Sequence, residues 1–340
     1  MKKELKIFDL DSIDHSRITV EGLVRTAGKW IQDNQDKKEQ YNIVLMRTLE
    51  GEVHFNQKDH FLSTIHEVIR NWPKDQVFLV MSDVNLEENL EKWFAGTEEK
   101  TSPVTAISYP LALLKRTQDY ANNKQIKQPK IHHNIVKRFI CLNAAAKPHR
   151  AKMVNHLIIS NQSRFGDISW INRYGKLPDN FYKDMTFKGE EMLLDFNSES
   201  IDQNYNQDLL PGSYHYAGFD IVNESIVSDT SLFITEKTWK PIFYNKVFLP
   251  HGSKGMITYL KNLGFEMFDE ELGLTFDDWD NLSYEERWLG IMNDLHTLID
   301  MTPEDWQMFY EREDIKTALN KNSTLAKMLI VPHWNDKINE

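Results

Sequence analysis

The feature that most constrains the fold is an alternation along the chain. Short apolar runs at residues 5–10, 42–46, 76–81 and 104–109 are separated by segments with a helical period. In residues 20–32 the apolar positions Val20, Leu23, Val24, Ala27, Trp30 and Ile31 fall on one helical face. Residues 61–72, closed by Pro73, and residues 86–95 repeat the pattern. Strand-length runs alternating with amphipathic helices predict a parallel sheet with crossover helices. The run 76–81 reads as a buried strand and ends on Ser82-Asp83, so a carboxylate stands where α/β sheets present their functional loops.

The alternation pauses over residues 120–138, which are polar, basic and poor in apolar side chains, and then resumes. This places a boundary between an N-terminal domain, residues 1–130, and a C-terminal domain, residues 131–340. In the second, strands are expected at 138–142, 168–171, 247–250 and 265–268. Helices are expected at 148–160, with Pro148 near its first turn, and at 256–263, closed by Gly264. Residues 176–218 carry no clear period. Ser283 with Glu286, and Thr302 with Asp305, have capping-box spacing and should each open a long helix. The fold class expected is α/β, with two Rossmann-like domains.

With 340 residues and 41% hydrophobic composition the chain can bury a substantial core. No apolar run approaches the roughly 18 residues that span a bilayer. The opening Met1-Lys2-Lys3-Glu4-Leu5-Lys6 is not followed by the apolar core of a signal peptide, so a cytoplasmic location with no membrane span is expected. The one cysteine, Cys141, lies in an apolar run and permits neither an internal disulfide nor a Cys-based metal cage. A net charge of -11 argues against non-specific nucleic-acid binding. One basic segment runs against that balance: Lys124, Lys127, Lys130, His132, His133, Lys137 and Arg138. It reads as a solvated linker, with an anionic-acceptor surface as the alternative.

Residues 219–241 hold the densest chemistry. Asn223, Glu224 and Ser225 follow an apolar run, so three hydrogen-bonding side chains lie where a strand should open into a cleft. A further β-like run, residues 231–234, leads to Thr235 as N-cap, with Glu236 and Lys237 in the first turn of a helix. A first-turn lysine is unfavourable at the positive end of a helix dipole unless an anion offsets it. Arg150 is likewise expected at the start of a helix after a strand, where a guanidinium can grip a diphosphate with paired hydrogen bonds. Glu236 could accept from ribose hydroxyls. Asp278-Trp279-Asp280 has the Asp-x-Asp form used to hold a divalent cation, but its place just before a capping box favours a polar loop. His54, His60 and His66 recur in six-residue steps that put them on different sides of a helix, so no metal site is assigned.

Thr235-Glu236-Lys237-Thr238-Trp239, preceded by Asn223-Glu224-Ser225, resembles the donor-site signature of the α-fucosyltransferases of glycosyltransferase family ten. There a Glu-Asn-Ser run leads to Thr-Glu-Lys-Leu-Trp; here Ser225 takes the place of the Asn, and the gap to Glu236 is a little longer. The interval from Asn143 to Arg150 is also the family's, and Lys152, Asn155 and Leu157 fall on familiar positions. The resemblance covers residues 139–268. It implies the GT-B arrangement, two Rossmann-like domains facing across a cleft, with the donor in the second domain. It also implies an inverting glycosyltransferase that uses a nucleoside-diphosphate sugar as co-substrate and no other cofactor.

On that reading Asn143, Arg150, Asn223, Glu224, Ser225, Glu236 and Lys237 bind the donor. Arg150 and Lys237 neutralise the departing diphosphate in place of a metal. The first domain binds the acceptor, a glycan or other hydroxyl compound, and supplies a general base, for which Asp83 is the choice, followed by His54 and His60. Two alternatives stand beside it: transfer to a hydroxylated base in DNA, and a nucleotide- or glycan-binding module without turnover.

Overall fold

The computed structural model describes residues 3–9, 20–47, 65, 69, 72–96, 102, 104–108, 134–172, 175–194 and 212–329. These fall into two compact units. One holds the described residues up to 108 together with Thr230–Thr235; the other holds the described residues from 134 to 229 and Glu236–Leu329. The chain therefore returns to its first unit for six residues in the middle of its second. The boundary expected at 130/131 lies outside the described residues, as do Lys124, Lys127, Lys130, His132 and His133.

The first unit contains a four-stranded parallel sheet in the order β1 (Glu4–Asp9), β2 (Tyr41–Arg47), β3 (Val77–Met81), β4 (Thr105–Ser108). Helices α1 (Val20–Asp33) and α2 (Leu86–Ala95) fall where the helical period places them. Alternate residues of the central strands enter different cores. Ile43, Leu45, Val77, Leu79 and Met81 pack with Ala27 and Ile31 of α1 and Leu86, Leu90 and Phe94 of α2. Val44, Phe78, Val80 and Ile107 form the core of the other face. A period of two on β3 thus serves both faces of a sheet covered on each side, which is why the run reads as continuously apolar. The helix expected over 61–72 lies outside the described residues except at Ile65, Ile69 and Trp72, which join the first of these cores.

The second unit contains β5 (Lys137–Asn143), β6 (Gly166–Trp170), β7 (Ala217–Asn223) and β8 (Val247–His251), all parallel, in the order β6-β5-β7-β8. The chain moves outward from β5 to β6, then crosses to the other side of β5 to lay down β7 and β8. The strand order therefore reverses between β5 and β7. Such a reversal opens a crevice at the carboxyl ends of the two strands, and α/β folds bind ligands there.

Helices α3 (Pro148–Ile159), α4 (Glu236–Phe243) and α5 (Met256–Asn262) follow β5, β7 and β8 in sequence. The long helices α6 (Tyr284–Asp300) and α7 (Pro303–Glu311) open on the capping boxes of Ser283 with Glu286 and Thr302 with Asp305, and α8 (Glu313–Met328) follows. All seven residues of β7 are buried. At Gly218 the Trp306 indole of α7 lies 2.5 Å from where a Cβ would stand, so the helix approaches the strand only because the side chain is missing there.

Three expectations are corrected. Residues 265–268 are not a strand: the Asn322 side chain accepts from the Glu266 N–H (2.9 Å) and donates to its carbonyl (2.8 Å). The backbone pairing that a neighbouring strand would supply comes from α8, and Phe265, Met267 and Phe268 are buried as an irregular segment. Residues 231–234, β-like in sequence, form no strand; Phe233 makes an isolated antiparallel bridge to Asp83 in the first unit. Of the basic segment, Lys137 and Arg138 belong to β5 rather than to a linker: Arg138 donates to the Ile299 carbonyl (2.6 Å) and stacks over Phe165, and Lys137, more exposed, pairs with Asp167 of β6 (3.4 Å).

Candidate functional site

Three strands of the second unit, β5, β7 and β8, end in polar side chains that meet one another, and the Ser169 carbonyl of β6 joins them. Asn143 closes β5 and Asn223 closes β7, each 1% exposed. The Asn143 amide donates to the Ser169 carbonyl of β6 (3.2 Å), the Asn223 amide donates to Asn143 Oδ1 (3.0 Å), and His251 Nδ1 of β8 meets Asn223 Oδ1 (2.8 Å). A carbonyl can only accept, so the direction of each bond follows from Ser169 outward. Asn143 must turn its amide to that carbonyl, Asn223 must turn its amide to Asn143, and His251 must carry its proton on Nδ1. The Nε2 of His251 is then a bare acceptor, fully buried and without a partner among the described residues. Burial foremost, then the nearby His149, Lys152, Arg287 and Arg150, holds this imidazole far below the ordinary histidine pKa and so neutral.

Just beyond β7, Glu224 and Ser225 collect the basic groups of two helices. Pro148 fixes the first turn of α3, placing Lys147, His149 and Arg150 in sequence around it. Arg150 Nη2 (3.1 Å) and His149 Nε2 (2.8 Å) both donate to the Glu224 carbonyl, and Arg150 Nη1 reaches the Ala145 carbonyl (3.2 Å). Lys147 Nζ donates to the Ser225 carbonyl (2.5 Å). From α4, Lys237 Nζ reaches Ser225 Oγ (3.0 Å) and pairs with Glu236 (2.7 Å). The Glu224 carboxylate accepts from Thr238 Oγ1 (2.5 Å) and from the Ser225 N–H (3.0 Å), tying the strand end to the first turn of α4.

Lys147, Arg150 and Lys237 therefore converge on two residues at the carboxyl edge of the sheet, beside its switch point. Their field registers on His149: burial, then Arg150, Lys147 and Lys237, brings its pKa down to about 3. Three cations so close repel one another unless an anion or nearby carboxylates offset them. Glu236, paired with Lys237, is one such carboxylate, and Glu224, bonded through its carbonyl to Arg150, is another.

The structure thus brings together Arg150, Glu224, Ser225, Glu236 and Lys237. Asn143 and Asn223 lie in the layer beneath, their side chains engaged in the polar chain to His251. Lys147, His149 and His251 take part without having been singled out from sequence. The basic cluster around Pro148, immediately before Arg150, was the available signal for the first two.

Asp83 lies in the first unit, 5% exposed. Its Oδ1 accepts from the N–H groups of Asn85 (2.9 Å) and Leu232 (3.3 Å), and its Oδ2 accepts from the Asn89 amide (3.0 Å). Burial raises its pKa, and these bonds oppose the rise. The carboxylate holds Thr230–Thr235 against the end of β3. His54 and His60 lie outside the described residues. In the Asp-x-Asp run, Asp280 is 1% exposed and accepts from the N–H groups of Ile257 (3.1 Å) and Thr258 (2.8 Å), so it caps the start of α5.

Compared with known proteins, the chain matches no family model, no curated protein and no solved structure.

Proposed function

We propose that this protein is a glycosyltransferase that moves a sugar from a nucleoside-diphosphate sugar to an acceptor hydroxyl. The observation that carries the reading is the convergence of Lys147, Arg150 and Lys237 on Glu224 and Ser225, beside the β5/β7 switch point. A diphosphate leaving group develops charge as the glycosidic bond breaks, and fixed cations in a partly desolvated crevice stabilise that charge without reorganisation. Those cations perform the work a metal ion does in other transferases, so the reaction proposed is metal-independent. The resemblance of residues 139–268 to the family-ten α-fucosyltransferases adds inversion at the sugar carbon and the GT-B architecture, and the net charge of -11 favours a glycan over DNA as the acceptor.

Within this reading Glu236, 13% exposed at its side chain and paired with Lys237, fixes the nucleotide. Asn143 and Asn223 act one layer down by setting the floor of the crevice. Asp83 is given the task of holding Thr230–Thr235, since donors already occupy both of its oxygens, and the acceptor-side base is left unassigned. The test is incubation with GDP-, UDP- and CDP-sugars in excess chelator, with and without glycan acceptors, reading nucleoside-diphosphate release. Release from one donor, accelerated by an acceptor, is expected. No release from any donor, or release that only manganese restores, would overturn the reading.

A further inference from the structure

The cation cluster contains an imidazole, that of His149. His149 follows Pro148 in the first turn of α3, and its Nε2 lies 2.8 Å from the Glu224 carbonyl. The carbonyl can only accept, so Nε2 carries the proton and Nδ1 is the open nitrogen; no hydrogen bond engages Nδ1 among the described residues. The same carbonyl accepts from Arg150 at 3.1 Å, which places the imidazole beside the guanidinium. Among the described residues the charges acting on the ring are Arg150 and Lys147 from its own segment and Lys237 from α4, while the Glu236 carboxylate pairs with Lys237, the Glu224 carboxylate accepts from Thr238, and the neutral ring of His251 on β8 meets it edge-on at 5.5 Å. Positive charge predominates among them. Beside these cations a neutral imidazole is the stable form, and a doubly charged anion brought among them reverses the local field.

We propose that His149 is an anion-binding residue of this site: when an anion enters among Lys147, Arg150 and Lys237, the ring takes one proton from solvent at Nδ1 and donates it to an anion oxygen. The proposal rests on the anion-site reading above and deepens it. Before binding, His149 has one N–H, held by Glu224; after binding it has two, the second given to the ligand. Burial and the three cations bring its pKa down to about 3, so at neutral pH the second proton is absent until the anion arrives. His251 does not substitute for it. Its Nδ1 proton is fixed on Asn223, and a second proton on the fully buried Nε2 would have no acceptor among the described residues.

The linkage has a definite sign. A group whose pKa rises on binding makes binding tighter as pH falls, by up to about tenfold per pH unit between the bound and empty values. Sulfate is the probe, because it stays doubly charged over the working range and contributes no titration of its own. Calorimetry in two buffers of different ionisation enthalpy should show proton uptake by the wild-type protein and affinity that rises toward low pH. In His149→Gln, which keeps an N–H for the Glu224 carbonyl, sulfate should still bind but with a flatter pH dependence and buffer-independent heat. Nitrogen-15 spectra of the wild-type imidazole provide a readout that needs no variant: sulfate should convert His149 from the neutral to the doubly protonated form.

Equal pH dependence in wild type and His149→Gln, or an imidazole that stays neutral with sulfate bound, would overturn the proposal while Lys237→Ala still weakens sulfate. Sulfate affinity unchanged by Lys237→Ala would instead overturn the site reading, and this proposal with it.

Discussion

Two backbone carbonyls, those of Glu224 and Ser225, set the geometry of the candidate site, because Lys147, His149 and Arg150 all hydrogen-bond to them. The helix-start positions of Arg150, Glu236 and Lys237 were legible in sequence because such positions are marked by local signals. His251 was not, since an orphaned nitrogen exists only once four strands are aligned. A second buried group, away from this site, gives a pH prediction at the same scale. Lys246 is 1% exposed, donates to the Ala217 carbonyl and lies over the Tyr214 ring, and burial lowers its pKa to about 7 against partial rescue by Asp220. The native state then binds fewer protons than the unfolded chain above that value, so its stability should rise as pH rises from about 7.5 to about 9.5. Urea denaturation at both pH values should show this gain in the wild type and lose it in the Asp220→Asn, Lys246→Met double variant. An equal slope in both proteins would refute the assignment.

At the scale of elements, the βα alternation was readable because strand and helix periods differ and because capping boxes and Gly264 mark helix ends. Residues 265–268 misled because an apolar run reports burial, whereas its strand partner is a tertiary fact, and here Asn322 of α8 takes that place. The Asp-x-Asp run is a related case. Its second carboxylate caps α5, whose first N–H groups would otherwise lack acceptors. Asp280→Ala should therefore cost about 1–2 kcal/mol of stability in a denaturant titration, and addition of divalent cations should not change the wild-type midpoint. A variant as stable as wild type, or a midpoint raised by manganese through Asp280, would contradict the capping role.

At the scale of the whole molecule, sequence indicated two α/β regions, and two four-stranded parallel sheets are found. The return of Thr230–Thr235 to the first unit was not legible, because it depends on Asp83 and Leu232, far apart in the chain. Nor was the strand order β6-β5-β7-β8, whose reversal marks the switch point beside the cation cluster; periodicity gives elements and not their neighbours. The net charge of -11 makes the local cation cluster all the more distinctive as a place for an anionic ligand. The central claim is that this cluster holds a diphosphate, and equilibrium titration with GDP, UDP and CDP tests it most directly in the wild type, Lys147→Ala and Lys237→Ala. One of the three should bind the wild type, and each substitution should weaken it by about 1.5–3 kcal/mol, or about 10- to 150-fold, through loss of a charge-assisted contact. Binding of none of them by the folded wild type, or undiminished binding by both variants, would contradict the account.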